Sequence, residues 1–509
     1  MRFRPNLWLL ALACLFYVVP ITSGLYAVTA WVAPALLLIY IYNEKVKLAF
    51  PLATVCLSCV IIIAYQDVIP GGWGAVSITV VTSTIMLIAL LVVNKWVVAR
   101  TGKVTSVLFL PMLLTSFEYF TSYGNVFGTF NSSAYSQLEI GPVAALASMF
   151  GIWGIVFIQY LAASLLAYVF KSGTDARQNK RIIISALTLI IVLVGLGAVI
   201  NSERDQSLTI KVAGITPDRI LWDETIETLF EKWETTGLHD QRSGDASFTE
   251  QIQRLNEGMI NRTKQELESG SRLIGWSEGA AIVMEHEEDG FLQRLQSLSE
   301  TYEAVLVAGY VRVNEQAGSK MDNHLVIIDA DGTIKSRYSK FSLVPGEERY
   351  FNKGLEKVPV VDTAAGRIAA AICFDADFPD RVREAGLENP DILVLPSSDW
   401  KGITPYHTEM SAFRAIENRM SVLRVTHAGM SAVFDSQGSL VAGISDWESE
   451  HGSILSTELP LPLPERQDTV YKMIGDVLPL LFGIVVIIIL VIAVYRAIGS
   501  RLRRVRTLS

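Results

Sequence analysis

Four cysteines occur in the 509-residue chain, and only Cys373 lies outside a long apolar run. Cys14, Cys56 and Cys59 sit within such runs, so Cys373 has no disulfide partner in the polar part of the sequence. A lone thiol is either a small buried hydrophobe or a group put to use. Position separates the two readings. The run AAAIC (369–373) has the pattern of a strand, and FDADFPDRVREAG (374–386) turns into a helix. A nucleophile at a strand-to-helix turn stands at the sheet edge, where the amides that follow it can stabilise an oxyanion. The chemistry this allows is nucleophilic attack by the sulfur. A thiol so used needs a base and a nearby cation. Glu278 closes the strand-like run RLIGWSE (272–278), and Lys340 sits in SRYSKFSLVPGEERY (336–350). Taken singly, Glu278 reads as a capping or surface carboxylate and Lys340 as a solvated lysine. The six histidines form no HxH or HxxxH pair, so neither a metal nor a histidine base has support from spacing.

These residues must be held by a sheet. Short β-branched apolar runs recur at 208–215, 272–278, 304–313, 324–332, 367–373, 391–397 and 421–429. Helical stretches lie between several of them, at 222–236, 247–269, 290–303 and 406–420. DADG and DSQG mark two hairpins. Interior strands with flanking helices predict a layered α/β or α+β domain. LPLPLPERQ (459–467) reads as a Pro-bearing linker.

Composition divides the chain. It is 50% hydrophobic and only 18% charged, with a mean hydropathy of +0.36. Those values exclude an ordinary soluble enzyme, a disordered chain and a disulfide-stapled secreted domain. Residues 1–202 and 471–509 carry 17 basic and 6 acidic residues, whereas 203–470 carry 26 and 45. The acidic part is long enough to bury its own core. Its charge argues against nucleic acid as a partner. A membrane-spanning helix needs about 20 mostly apolar residues. Candidate spans cover 7–22, 25–42, 48–66, 75–94, 104–120, 141–170, 182–200 and 474–495. The span at 104–120 is the weakest, because it holds Pro111 and Glu118. Glu118 reads equally as a functional intramembrane carboxylate and as an interfacial one. The first apolar run continues into a second span and lacks a small-residue cleavage site, unlike a signal peptide. Lys and Arg fall after spans two, four and six and at both ends of the chain, and are missing from 67–74 and 121–140. The positive-inside rule then gives eight spans, both termini inside, and residues 203–470 on the outer face. The expected organisation is a membrane domain at 1–202, an outer domain at 203–470, and a last helix with a basic tail at 471–509.

WSE, KxxLVPGEE and ICFD, in that order, resemble the Glu–Lys–Cys motifs of the nitrilase superfamily. The segment SSDWKGITPYHTEMSAFRAIENRMSVLRVTHAGMSAVFDSQG (397–438) is similar to the nitrilase-domain signature of the apolipoprotein N-acyltransferase family. AYSQ (134–137) and GIWG (151–154) agree with that family's membrane half. The resemblance implies a multi-span α-helical membrane domain carrying a nitrilase-like αββα sandwich outside the cytoplasm of a bacterial inner membrane. It implies that Glu278 is the general base, that Cys373 takes an acyl chain from a phospholipid, and that Lys340 and the Phe374 amide stabilise the oxyanion. Glu347, Asp375 and Trp400 would support the site, and no cofactor would be needed. A diacylated lipoprotein would accept the chain; with water as acceptor the protein would be a membrane-tethered amidase instead.

The sequence also departs from the family's motifs. LVPFGE has lost its Phe, so the second carboxylate is Glu347 or Glu348, with Glu347 the better placed beside Gly346. C-Y-E has become Cys373–Phe374–Asp375, W-P-E-T has become Trp276–Ser277–Glu278–Gly279, and N-D-A-W has shortened to Ser398–Asp399–Trp400. Asp375, Arg414, Glu417 and Arg419 are expected to form a structural ion-pair network. His427 is expected to pack or hydrogen-bond. Trp400 and Tyr406 fit a lipid entrance and an ordinary core equally well.

Overall fold

The computed structural model describes residues 6–70, 72–172, 179–202, 208–236, 246–316, 318–463, 465 and 467–506. Arg2, Arg4 and Arg177 of the expected basic loops, and residues 464 and 466 of the expected linker, lie outside these. The chain forms two compact units: residues 1–125, 131–203 and 474–509, and residues 126–130 with 204–473.

The first unit is helical. Among the described residues, six of its helices are long and apolar enough to cross a membrane: Tyr26–Asn43, Val46–Tyr65, Gly72–Val98, Ile152–Lys171, Lys180–Ser202 and Val477–Ser500. Leu7–Tyr17 is a shorter apolar helix. Thr105–Gly124 is a helix with Pro111 inside it. Glu118 on that helix accepts hydrogen bonds from Tyr160 (3.1 Å) and Ser132 (3.3 Å). The expected continuous span at 141–170 is not formed. Gly151 has φ +61°, which suits glycine and ends the short helix Ala147–Phe150, and a new helix starts at Ile152.

The second unit has two sheets. Strands β1 (Thr209–Ile215), β2 (Leu273–Trp276), β3 (Ala281–Met284), β4 (Val305–Val313), β5 (Asp322–Ile328) and β6 (Ile334–Ser339) belong to the first sheet. Strands β7 (Val360–Thr363), β8 (Gly366–Ala370), β9 (Ile392–Ser398), β10 (Ser421–His427), β11 (Met430–Phe434) and β12 (Leu440–Ser445) make the second, in the order β12-β11-β10-β9-β8-β7. Strand β13 (Ile454–Pro460) returns to the first sheet, whose order is β13-β1-β2-β4-β5-β6, with β3 also paired to β4. Residues 459 and 460, expected in the linker, therefore end a strand. Pro460 is tolerated there because β13 lies at the sheet edge.

Alternation sets the layers. Val212, Leu273, Val305 and Val307 face inward and pack with Ile368, Ile392, Val394, Leu423 and Val425 of the other sheet. Their neighbours Ala213, Ile274, Leu306 and Ala308 face outward onto Met259 and Ile260 of helix Ala246–Glu268 and Leu292 and Leu295 of helix Glu288–Tyr302. Helix Tyr406–Asn418 covers β10 and β11 on the far side. The result is an αββα sandwich. The loops at 329–333 and 435–439 make the two expected hairpin turns, closed by Asp329 and Asp435.

Parallel strands β2, β4, β9 and β8 bring their C-terminal ends to one edge. Gly309 on β4 lets the end of β2 pass close by. A Cβ at Gly309 would lie 2.4 Å from the Ser277 carbonyl oxygen and 3.3 Å from the Glu278 Cα. Gly258, inside a helix, has nothing within 4 Å of that position. Gly309→Ala is therefore expected to destabilise the protein by about 1–3 kcal/mol through overpacking. Gly258→Ala should stabilise it by up to about 1 kcal/mol through helix propensity. Thermal unfolding of the purified protein in detergent checks both signs.

Candidate active site

The turn after β2 holds Glu278, which is 6% exposed. Its N–H donates to the Ser397 carbonyl at the end of β9 (3.3 Å). Its Oε1 accepts from Asn323 Nδ2 (2.7 Å) and Lys340 Nζ (2.7 Å). Lys340 directly follows β6 and is held by its own N–H to the Asn323 carbonyl (2.9 Å). Its ammonium also lies 2.8 Å from Glu347 Oε2, and the side chain is 1% exposed. Glu347 in turn accepts the Val344 N–H (2.9 Å). Glu348 instead accepts the Gly346 N–H of its own turn (2.7 Å). Thus Glu278, Lys340 and Glu347 converge as one group, in which Glu278 and Lys340 are buried and Glu347 is half-buried.

Such a group has clear electrostatics. Burial alone would push the Lys340 ammonium down, but Glu278 and Glu347 outweigh it and hold the group well above the usual lysine range. Burial raises the Glu347 carboxyl, and Lys340 only partly opposes that. The ammonium is therefore a fixed cation in a water-poor place.

Cys373 opens the turn Cys373–Asp377 with φ +46°, a left-handed conformation that a non-glycine residue adopts only when its surroundings enforce it. Its thiol points at the Ser398 carbonyl (3.6 Å), next along the chain from the carbonyl that takes the Glu278 N–H. Burial raises the thiol pKa well above its ordinary value; Glu278 adds to this, while Lys340 and Arg424 oppose it. The resting sulfur is thus a thiol.

Asp375 anchors the turn but not through the expected ion pairs. It accepts from the Ser342 N–H (2.7 Å), the Tyr338 hydroxyl (2.9 Å) and the Ile372 N–H (3.3 Å). This ties the Cys373 turn to the chain on either side of Lys340. Arg414 pairs with Glu417 (2.9 Å) and also donates to the Ala376 carbonyl (3.2 Å). Arg419 caps the same helix in the left-handed conformation. Phe374 is buried, its ring edge-on to Phe378 at 5.9 Å. Trp400 is half-buried at the end of β9. Tyr406 is a core residue, 1% exposed, donating to the Phe130 carbonyl (2.7 Å). His427 packs on Trp222 (4.3 Å between ring centres).

The sequence gives no spacing signal for a second buried charged cluster. His407 lies between Asp399 (2.7 Å from Nδ1) and Asp377 (2.9 Å from Nε2), and Arg424 Nη2 lies 3.1 Å from Asp399. The four residues come from the Cys373 turn, the end of β9, a helix and β10, so no single motif contains them. A ring nitrogen of His407, a carboxylate oxygen of Asp399 and the Cys373 sulfur all lie within 4.8 Å of one another. Such donors suit zinc. However, Arg424 already places a cation on Asp399, and both ring nitrogens face carboxylates, so the cluster is an ion-pair network.

Residues 241–465 match the family model for carbon-nitrogen hydrolase, which makes this unit a nitrilase-superfamily domain. The resemblance of the chain to the apolipoprotein N-acyltransferases extends well beyond that domain. It is 24% identical over 398 residues to the apolipoprotein N-acyltransferase of Geobacter metallireducens, covering 72% of this chain and 70% of that one. It is 26% identical over 432 residues to that of Bradyrhizobium diazoefficiens, covering 79% and 75%. Among solved structures it is similar to an amidase from Nesterenkonia sp., with a TM-score of 0.38 and 16% identity, covering 51% of this chain and 94% of that one. The chain thus joins a domain that matches the carbon-nitrogen hydrolases to helices of membrane-crossing length.

His407 titrates in the stability of the fold. Burial opposes its charge, but Asp399 and Asp377 outweigh burial and raise its pKa to about 9. An unfolded histidine titrates near 6.5. The extra stability is full below about 6.5 and is lost as pH rises through about 9. Melting temperature in detergent should therefore fall over that window, and His407→Gln should remove this part of the fall.

Proposed function

We propose that this protein is an apolipoprotein N-acyltransferase, moving an acyl chain from a phospholipid to the N-terminal amine of a diacylglyceryl-cysteine lipoprotein. The observation that carries the reading is the buried Lys340 ammonium bridging Glu278 and Glu347, with the Cys373 thiol anchored on the carbonyl next to the one that holds Glu278. The similarity to named N-acyltransferases and the six membrane-length helices support a lipid donor. The distribution of Lys and Arg supports an outer-face catalytic domain on a bacterial inner membrane.

Glu278 takes the thiol proton as sulfur attacks the sn-1 ester carbonyl. The new S–C bond generates a tetrahedral oxyanion, stabilised by the Lys340 ammonium and the Phe374 amide. The C–O bond then breaks, and the lyso-phospholipid oxygen leaves with the proton from Glu278. In the second half the lipoprotein amine attacks the thioester, the C–S bond breaks, and an amide forms. Glu278 takes the amine proton and returns it to the sulfur. Lys340 keeps its proton throughout, because losing it would leave the buried Glu278 carboxylate and the half-buried Glu347 carboxylate without their cation. Glu347 holds the ammonium in place, and Asp375 holds the turn.

The test supplies membranes with phospholipid labelled in the acyl chain, with or without a diacylated lipopeptide. The wild type should give N-acylated lipopeptide. Cys373→Ala should give none, and Glu278→Gln should be slower by roughly 10²–10⁴-fold. Release of free fatty acid without lipopeptide acylation would replace this reading with that of a membrane-tethered hydrolase.

A further inference from the structure

Asp377 is the last residue of the turn that Cys373 opens, and it is pinned from two sides. Its carbonyl accepts both the N–H (3.0 Å) and the hydroxyl (2.7 Å) of Thr129. Its carboxylate faces His407 Nε2 (2.9 Å), and the ring's Nδ1 faces Asp399 (2.7 Å). Arg424 Nη2 also lies 2.9 Å from Nδ1 and opposes a proton there, but the Asp399 and Asp377 carboxylates, one within 2.9 Å of each nitrogen, outweigh it and keep the imidazole positively charged. With both nitrogens protonated it has no lone pair for the thiol proton, so it is not a base. Arg424 completes the group through Asp399 (3.1 Å). Two cations and two anions, each 7% exposed or less, make a neutral set beside the sulfur.

We propose that Asp377, His407, Asp399 and Arg424 form a fixed-charge relay behind Cys373, in which His407 is a positioning residue. It clamps the far end of the strained nucleophile turn and keeps a positive charge near the sulfur as that atom becomes anionic. The other charged groups acting on the sulfur are Glu278, Lys340, Asp399 and Arg424. Glu347 and Asp375 act through Lys340. Within the relay Asp399 disfavours a thiolate, as Glu278 does, and Arg424 favours one.

The inference uses Cys373 as nucleophile, and so rests on the proposed function in that respect. It predicts opposite effects from two near-isosteric changes. His407→Gln removes a positive charge and should slow alkylation of Cys373 by iodoacetamide at pH 7, by about tenfold for each unit the thiol pKa rises. Asp377→Asn removes a negative charge, leaves an oxygen to accept from His407, and should speed it. Alkylation is followed on the Cys373 peptide by mass spectrometry, using the full chain in detergent, with circular dichroism to check folding. Changes in the same direction, or no change in either variant, would overturn the relay. If His407→Gln fails to fold, Asp377→Asn decides: faster alkylation supports the relay, and unchanged or slower alkylation overturns it. Alkylation requires no acyl donor. Opposite shifts without any acyl transfer from phospholipid would therefore leave the relay standing and refute the proposed function instead.

Discussion

A buried ammonium held by two carboxylates is the constraint around which the catalytic unit is organised. Lys340 is 1% exposed, and such a charge is tolerated only when paired and hydrogen-bonded. Glu278 and Glu347 supply the pairing, and they come from different strand ends and loops. The sandwich must therefore bring β2, β6 and the loop after Lys340 into register before the charge can be buried. Asn323 on β5 assists, since its carbonyl holds the Lys340 N–H and its amide donates to Glu278. A change at any of these positions should disturb the other members of the group.

The Cys373 turn depends on the same group by a different route. Asp375 links it to Tyr338 and Ser342, each two residues from Lys340 along the chain. Ser397 and Ser398 fix Glu278 and Cys373 to the end of one strand through adjacent carbonyls. The left-handed backbone of Cys373 is thereby held by bonds on both sides of the turn. The His407 network lies on the other side and is itself neutral, so it adds no net charge to an already crowded interior. Fixed dipoles and charges of this kind act without reorganising as a reaction proceeds.

Much of this frame is legible in the sequence, because inward and outward residues alternate along the interior strands. The β-branched runs mark β1, β2, β4, β9 and β10, and Glu278, Lys340 and Cys373 fall at or just beyond strand ends. Short strands such as β3 and β7, with four residues each, are too brief to show a period. The end of strand β13 is obscured by Pro460, which is compatible with an edge. The apolar run 141–170 hides its break at Gly151, since hydropathy does not register backbone handedness. The His407 network is hidden for another reason: its members meet only after distant elements pack. Asp375 carries the right residue type for an ion pair, yet bonds to backbone and hydroxyl groups that no charge pattern reveals.

The central claim is that the Cys373 sulfur covalently carries a fatty chain drawn from the sn-1 position of a phospholipid. Mass spectrometry of the Cys373 peptide tests it directly, after the protein meets a phospholipid with chains of different mass at sn-1 and sn-2 and no amine acceptor. A hydroxylamine-labile mass increment equal to the sn-1 acyl group is expected on that peptide alone. An unmodified Cys373 peptide, or acylation on another residue, would contradict the account.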